Sequence, residues 1–242
     1  FSSPFDVDAV AFLDNLGVPA FKIASFEIFD HELINAAART GKPVLISTGV
    51  ATASDIAAAL DVCRSAGNDQ VALLKCTSTY PAPSIELNLR TIPDMARRFD
   101  CVVGFSDHTM NVSAPLGAVA LGASILERHL TLSRAVGGLD AGFSTSAREF
   151  TDLVNAVRDL EVGLGRIDYD LTPSSARMRR FGRSLFVVAD VQAGDQVTRE
   201  NVRSIRPADG MPSSAFPRVL GRRFTTSVLR GTPLREEVLT RY

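Results

Sequence analysis

An apolar run ends in polar side chains twice in this sequence, at Cys101-Val-Val-Gly-Phe-Ser-Asp-His108 and again at Ile125-Leu-Glu-Arg-His129. Runs that are apolar at nearly every position are typical of parallel strands buried on both faces. Because the carboxyl ends of such strands meet at one edge or face of the sheet, we expect the two imidazoles to lie close together. The pattern predicts a parallel sheet with a polar site at its carboxyl end.

Similar apolar runs recur along residues 1–165, and each is followed by a longer amphipathic segment. The predicted strands are Phe1–Pro4, Phe21–Ser25, Val44–Thr48, Val71–Ser78, Cys101–Asp107 and Ile125–Leu130. The predicted helices cover about 8–16, 31–39, 54–66, 88–98, 112–121 and 147–164. Two helix starts carry capping residues, Ser54 with Asp55 and Ser146 with Glu149. This alternation of strands and helices predicts parallel βαβ units.

Six such units fit either a doubly wound sheet or a (β/α)8 barrel. No GxGxxG motif follows the first predicted strand, which argues against a dinucleotide-binding sheet. Nearly every strand ends in reactive side chains, as expected where all strand ends converge on the active face of a barrel. An eight-stranded barrel needs two strands more than the six counted here.

The composition is that of an ordinary globular protein, with 45% hydrophobic and 22% charged residues and a net charge of −1. No apolar run approaches the roughly 18 residues of a membrane span, and no signal peptide opens the sequence. Three cysteines, Cys63, Cys76 and Cys101, lack CxxC spacing and are predicted to be buried thiols. These features predict a cytoplasmic protein with no membrane partner.

The charge is divided unevenly along the chain. Residues 1–165 carry 12 basic and 19 acidic residues, whereas 166–242 carry 14 arginines and 8 acidic residues. These arginines are scattered among apolar residues, which favours docking on an acidic barrel or binding of anionic substrates over nucleic-acid binding. We predict a barrel domain at 1–165, a linker at 166–182 and a small β-rich module with glycine turns at 183–242.

His108 and His129 are two of the three histidines in the chain, and each ends a predicted strand. Two imidazoles with water, carboxylate or substrate oxygens suit Mn, Fe, Co or Zn. The alternative is that the two strand-end histidines are unrelated, and that each forms hydrogen bonds with a purely structural role.

His31 opens a helix and is predicted to be structural. Asp140, in the Gly137-Gly-Leu-Asp140 loop, either contacts a substrate or forms the turn.

Cationic and hydroxyl side chains make up a second group of strand-end residues. They are Lys22, Ser25, Ser47, Lys75 and Ser78. Such groups bind phosphate or carboxylate ligands. Alternatively the lysines are interior residues paired with Glu27 or Glu127, because buried lysines need such partners. A Schiff-base aldolase also needs a lysine at this position, so that class of enzyme stays open.

Several motifs together resemble the sialic acid synthase family. They are Phe21-Lys-Ile-Ala-Ser-Phe-Glu27, Ile46-Ser-Thr-Gly49, Lys75-Cys-Thr-Ser-Thr-Tyr-Pro-Ala-Pro83, Gly104-Phe-Ser-Asp-His-Thr109 and Glu127-Arg-His-Leu-Thr131. The last module resembles the antifreeze-like (SAF, β-clip) domain of that family, with Asn201-Val-Arg-Ser-Ile-Arg-Pro207 as its marker. Within the family, the sequence of the Lys75–Pro83 motif is most similar to that of pseudaminic acid synthases.

The resemblance implies an α/β fold, a (β/α)8 TIM barrel followed by a SAF domain. It implies condensation of phosphoenolpyruvate with an open-chain N-acetylated amino sugar and water, which gives a nonulosonic acid and phosphate. In the pseudaminic branch the sugar is 2,4-diacetamido-2,4,6-trideoxy-L-altrose. The alternatives are synthesis of legionaminic or N-acetylneuraminic acid and, from another class, a non-catalytic fragment that binds sugar or phosphate.

The resemblance also implies residue roles. His108 and His129 would hold a divalent ion, typically Mn²⁺, with Mg²⁺ or Co²⁺ as alternatives. The phosphoenolpyruvate ligands would be Lys22, Ser25, Ser47, Ser78 and Ser106. Glu27, Tyr80 and Asp140 would contact the sugar, the first two as catalytic residues. Arg206 would reach the barrel of a second subunit, which implies a domain-swapped homodimer.

The chain departs from the family pattern in two places. The barrel of the family begins with two further strands, which carry a catalytic Glu and a phosphate-binding Lys and are absent from this sequence. We therefore expect weak or no activity from the chain as given. The stretch from Met211 to Phe216 also lacks the His-Pro pair often found there.

Overall fold

The computed structural model describes residues 1–241, and the chain divides into two compact units, Phe1–Arg166 and a second that begins at Ile167. In the described part of the first unit, five parallel strands pair in chain order. They are β1 (Phe21–Ile23), β2 (Val44–Ser47), β3 (Val71–Cys76), β4 (Val102–Asp107) and β5 (Leu126–Arg128). The curled sheet with its helices is a half-barrel, which confirms the predicted α/β class.

The helices of this unit follow the predicted segments closely. They are α1 (Val7–Asn15), α2 (His31–Arg39), α3 (Ala53–Ser65), α4 (Thr91–Phe99), α5 (Ser113–Ala120) and α6 (Ala147–Leu164). The predicted cap of α6 is confirmed, because Ser146 and Glu149 form a capping box. The predicted start of α3 at Ser54 is wrong. Thr52 caps this helix, since only that hydroxyl has Asp55 three residues later.

Two predicted strands differ most from the structure, whereas the other four are shorter than predicted by one or two residues. Phe1–Pro4 makes one bridge, in which Ser2 pairs with Phe21, and proline has no N–H group to extend the ladder. The run Ile125–Leu130 breaks at His129, after which β6 (Leu130–Thr131) pairs with β7 (Thr145–Ser146). His129 therefore stands at the point where the chain leaves the main sheet.

The strands meet closely because β4 carries a glycine at its centre. A Cβ at Gly104 would lie 2.6 Å from Leu74 Cδ2 and 2.6 Å from the Ile125 carbonyl oxygen. A larger side chain there would push β4 away from its neighbours. The glycine thus keeps β4 near both adjacent strands and fixes where His108 emerges.

The second unit is β-rich, with a small apolar core. Its elements in the described residues are α7 (Pro173–Met178), β8 (Ser184–Val187), β9 (Val202–Ile205) and α8 (Phe216–Val219), and β8 pairs antiparallel with β9. The segment 166–182, predicted as a linker, contains α7. Gly194 and Gly231 have φ of 93° and 89° and form the expected turns.

Throughout residues 1–241, no helix combines the length and the apolar character needed to cross a bilayer.

Candidate active site

A cavity of about 470 Å³ opens at the carboxyl end of the sheet. Seven of the predicted site residues line it: Lys22, Ser25, Ser47, Tyr80, Ser106, His108 and His129. Cys76 and Glu127 line it as well, together with Ala24 and residues 1–3. The structure therefore brings together predicted site residues that are up to 107 positions apart in the sequence, from Lys22 to His129.

Lys22 provides a buried positive charge in this cavity and is only 6% exposed. Its Nζ donates to the Ile23 carbonyl at 3.1 Å and lies 3.7 Å from Glu127 Oε1. The same carboxylate oxygen accepts a hydrogen bond from Ser106 Oγ at 2.8 Å. Burial lowers the pKa of Lys22, and the nearby Glu127 carboxylate only partly opposes that effect. The ammonium thus has one distant carboxylate and spare donor capacity for an anion.

Serine hydroxyls surround the backbone of Gly49 beside this lysine. Gly49 N–H donates to Ser25 Oγ at 3.1 Å, and a Cβ at Gly49 would lie 2.1 Å from Ser78 Oγ. Ser47 Oγ is buried and has no hydrogen-bond partner among residues 1–241. Because a buried hydroxyl normally has a partner, this one is available to a ligand. A buried ammonium near an unpartnered hydroxyl suits phosphate or carboxylate oxygens.

The two histidines lie together in the same cavity, with ring centroids 5.3 Å apart. His108 Nδ1 is 2.9 Å from the Thr77 carbonyl oxygen. A carbonyl only accepts, so Nδ1 carries the proton, and in the neutral ring Nε2 keeps its lone pair. Burial acts to lower the pKa of His108, but the contacts with Cys76 and the Thr77 carbonyl raise it overall, so an ion would compete with a proton for Nε2. His129 Nδ1 lies 3.4 Å from Asp140 Oδ2, which orients the second ring in the same way. Burial and the nearby His108 lower the pKa of His129, which favours the neutral form that binds metals.

This donor set fits a divalent ion that takes its other ligands from water or substrate. Within residues 1–241, no group of three or more His, Cys, Asp or Glu side chains is arranged to hold a metal. The protein donors would then be the two imidazoles alone. Such a site keeps several positions open, as metal sites that activate a substrate do.

Aromatic rings cover the histidines. Tyr80 is 44% exposed, and its ring centroid lies 4.3 Å from that of His108 and 5.2 Å from that of Phe143. Phe143 also contacts His129, at 5.0 Å between centroids. The sequence did not single out Phe143, because it follows a glycine-containing loop with no apolar periodicity. Phe143 lies outside the cavity lining and packs against the two lining rings, Tyr80 and His129.

The remaining predicted residues lie apart from the cavity lining. Glu27 is half-buried in a short turn after β1, and its Oε2 has no hydrogen-bond partner in the described chain. Asp140 is exposed beside His129. Lys75 Nζ donates to the Cys76 carbonyl at 2.7 Å, and burial lowers its pKa. Arg206 is exposed in the second unit, directly after β9.

A bidentate ion pair closes the loop that carries Asp140 and Phe143. Arg134 Nη1 and Nη2 donate to the two carboxylate oxygens of Glu149, at 3.0 and 2.7 Å. The Ser146 N–H also donates to Glu149 Oε2, at 2.8 Å. Arg134, followed by Ser146, lowers the pKa of Glu149 to about 2.

We expect Glu149→Gln to lower the melting temperature by a few degrees at pH 7, because the variant loses the ion pair and part of the helix cap. The folded pKa of about 2 lies below the ordinary 4.5, so this stabilisation is present above pH 4.5 and is lost as the pH falls toward 2. Urea unfolding at pH 7, 4 and 3 should show the two proteins converging. Glu161→Gln, which breaks the exposed pair with Arg158 on the same helix, is the control. An equal loss in that variant would contradict a special role for Glu149.

Comparison with known proteins gives two family matches, to the NeuB family over residues 1–169 and to the SAF domain over 182–239. The chain is 36% identical to the pseudaminic acid synthase of Helicobacter pylori over 242 residues, all of this chain and 71% of that protein. It is 32% identical to the N,N'-diacetyllegionaminic acid synthase of Campylobacter jejuni, over 97% of this chain and 71% of that one. A solved N-acetylneuraminic acid synthetase from Leptospira borgpetersenii superposes with a TM-score of 0.68 at 34% identity, over 73% of this chain and 61% of that one.

Proposed function

The chain belongs to the NeuB family, and from that premise we propose that it is a pseudaminic acid synthase. It joins phosphoenolpyruvate to 2,4-diacetamido-2,4,6-trideoxy-L-altrose through a new C–C bond, takes up water and releases phosphate. The observation that carries the proposal is one cavity lined by a buried lysine and by two neighbouring imidazoles. The lysine suits the anionic phosphoenolpyruvate, and the imidazoles suit an ion that polarises the sugar aldehyde.

The choice of the pseudaminic branch rests on two supports. The chain has a higher identity to the Helicobacter pseudaminic acid synthase than to the Campylobacter legionaminic acid synthase. It also carries Ser78 where sialic acid synthases usually have Asn, within the motif most similar to the pseudaminic branch.

The anion side of the cavity holds phosphoenolpyruvate. Lys22 donates to the phosphate or carboxylate oxygens, and the hydroxyls of Ser25, Ser47, Ser78 and Ser106 complete the set. Ser47 has the free hydroxyl that this role requires. Holding phosphoenolpyruvate in the same cavity as the sugar aldehyde would make the attack of its terminal carbon effectively intramolecular.

The imidazole side receives the sugar. His108 and His129 would hold Mn²⁺, or Mg²⁺ or Co²⁺, through their Nε2 atoms. When bound, this ion supplies Lewis-acid polarisation of the aldehyde, which a weak enol nucleophile needs. Asp140 keeps the His129 ring oriented, and Tyr80, which lines the cavity, contacts the sugar hydroxyl and acetamido groups. Glu27 lies outside the lining, and its unpartnered Oε2 is available to a part of the sugar that extends beyond the cavity.

We further propose a cytoplasmic, domain-swapped homodimer. Arg206 of one subunit would bind an acetamido group of the sugar held in the barrel of the other. The acidic balance of residues 1–165 and the basic balance of 166–242 support such docking. The described cysteines, Cys63, Cys76 and Cys101, are free thiols, in keeping with a reducing compartment.

The substrate is tested by phosphate release from phosphoenolpyruvate with Mn²⁺ and one sugar at a time. The panel holds the altrose derivative and the amino sugars that lead to legionaminic and N-acetylneuraminic acids. We expect sugar-dependent release with the altrose derivative, at least about tenfold faster than with the others, since the sugar contacts discriminate by about 1–3 kcal/mol. The measurement uses this chain and a chimera preceded by the N-terminal strands of the Helicobacter relative.

The control without sugar measures background hydrolysis. Faster release with another sugar would move the protein to that branch. If neither form releases phosphate with any sugar, the enzyme proposal fails and the alternative, a sugar- or phosphate-binding module, replaces it.

A further inference from the structure

A buried ion pair lies directly before the two histidines. Asp107 precedes His108 on β4, Arg128 precedes His129 on β5, and the two are register partners in the parallel ladder. Arg128 Nε lies 3.1 Å from Asp107 Oδ2, and their side chains are 7% and 0% exposed. Successive strand residues face opposite sides of a sheet, so this pair lies behind the cavity and not in it.

The same two side chains also hold the backbone that follows His108. Asp107 Oδ1 accepts a hydrogen bond from the Thr109 N–H at 2.8 Å. Arg128 Nη2 donates to the Thr109 carbonyl and, at 3.4 Å, to the Asn111 carbonyl. The residues on both sides of His108 are therefore tied to the residue before His129.

We propose that Asp107 and Arg128 are positioning residues that hold His108 and His129 at the spacing one divalent ion requires. This inference rests on the metal pair of the proposed function. Metal–nitrogen bonds are about 2 Å long, and ligands must be held to within about 0.5 Å of their productive positions. The planar, forked guanidinium suits this task, because it reaches a carboxylate and two carbonyls at once.

A purely structural role makes a different prediction. A buried ion pair often stabilises a fold no more than apolar residues of the same volume do. If Asp107 and Arg128 served stability alone, near-isosteric variants that still fold would bind metal as the wild type does. If they set the spacing of the histidines, folded variants would bind metal more weakly.

The test measures Mn²⁺ affinity of the full chain by electron paramagnetic resonance of the free ion, and records the visible spectrum of bound Co²⁺. We expect Asp107→Asn to weaken Mn²⁺ binding by about 10- to 100-fold, the range seen for outer-shell partners of metal ligands. Arg128→Lys keeps the charge but loses the fork, so its affinity should fall between those of Asp107→Asn and the wild type, with an altered Co²⁺ spectrum. Lys42→Met, which breaks the remote Lys42–Asp14 pair of 2.6 Å, should leave both readouts unchanged.

Melting curves of the metal-free proteins show which variants fold. Wild-type affinity and spectrum in a folded Asp107→Asn or Arg128→Lys protein would overturn the inference while leaving the metal pair intact. If Asp107→Asn does not fold, Arg128→Lys alone decides, by the same two readouts. A wild type that binds no Mn²⁺ or Co²⁺ would overturn the metal pair and, with it, this inference.

Discussion

We expect His108→Ala to remove divalent-metal binding and to lower sugar-dependent phosphate release at least about 100-fold, the effect of losing Lewis-acid stabilisation worth several kcal/mol. The effect is large because the described residues offer no third His, Cys, Asp or Glu in a metal-binding arrangement that could take over. Mn²⁺ binding followed by calorimetry and phosphate release with the preferred sugar measure the two losses. His129→Ala should behave in the same way.

His31→Ala is the matched control. This histidine opens α2 and is exposed, so its loss should change neither metal affinity nor turnover. If His108→Ala retains Mn²⁺ affinity, the two histidines are unrelated strand-end residues, and their spacing of 5.3 Å has a structural origin.

The polar site at the carboxyl end of the sheet could be predicted because two simple rules point to the same place. Apolar runs mark buried parallel strands, and the carboxyl ends of such strands meet. The sequence alone could therefore place residues as distant as Lys22 and His129 at one site. The predicted first strand failed for an equally simple reason, since Pro4 cannot continue a ladder that Ser2 begins.

Other parts of the site depend on contacts that no local pattern encodes. Phe143 lies in a loop held by the Arg134–Glu149 pair, which spans 15 positions, and its contact with His129 follows from that closure. In the sequence, Asp107 and Arg128 are charged residues at the ends of two strands, and nothing local pairs them. Only the register of β4 against β5 shows that they neutralise each other.

Lys22→Met should weaken phosphoenolpyruvate binding by about 10- to 100-fold, because charge-assisted hydrogen bonds to a buried cation contribute about 1.5–3 kcal/mol each. Isothermal titration with phosphoenolpyruvate measures the loss, with and without Mn²⁺. The control is again Lys42→Met, a lysine outside the cavity lining, which should bind as the wild type does. Unchanged affinity in the Lys22 variant would show that the ligand is held elsewhere.

The pH dependence of that affinity adds a test specific to the lysine. Burial lowers the pKa of Lys22 below the ordinary 10.5, and only the protonated form carries the charge that attracts the ligand. Wild-type affinity should therefore begin to fall at an alkaline pH below 10.5, while Lys22→Met, which has no charge to lose, should show no such decline. If Lys22 is instead neutralised by Glu127 and plays no part in binding, both proteins should respond to pH alike. The slope of affinity against pH thus separates an anion-binding lysine from an interior ion pair.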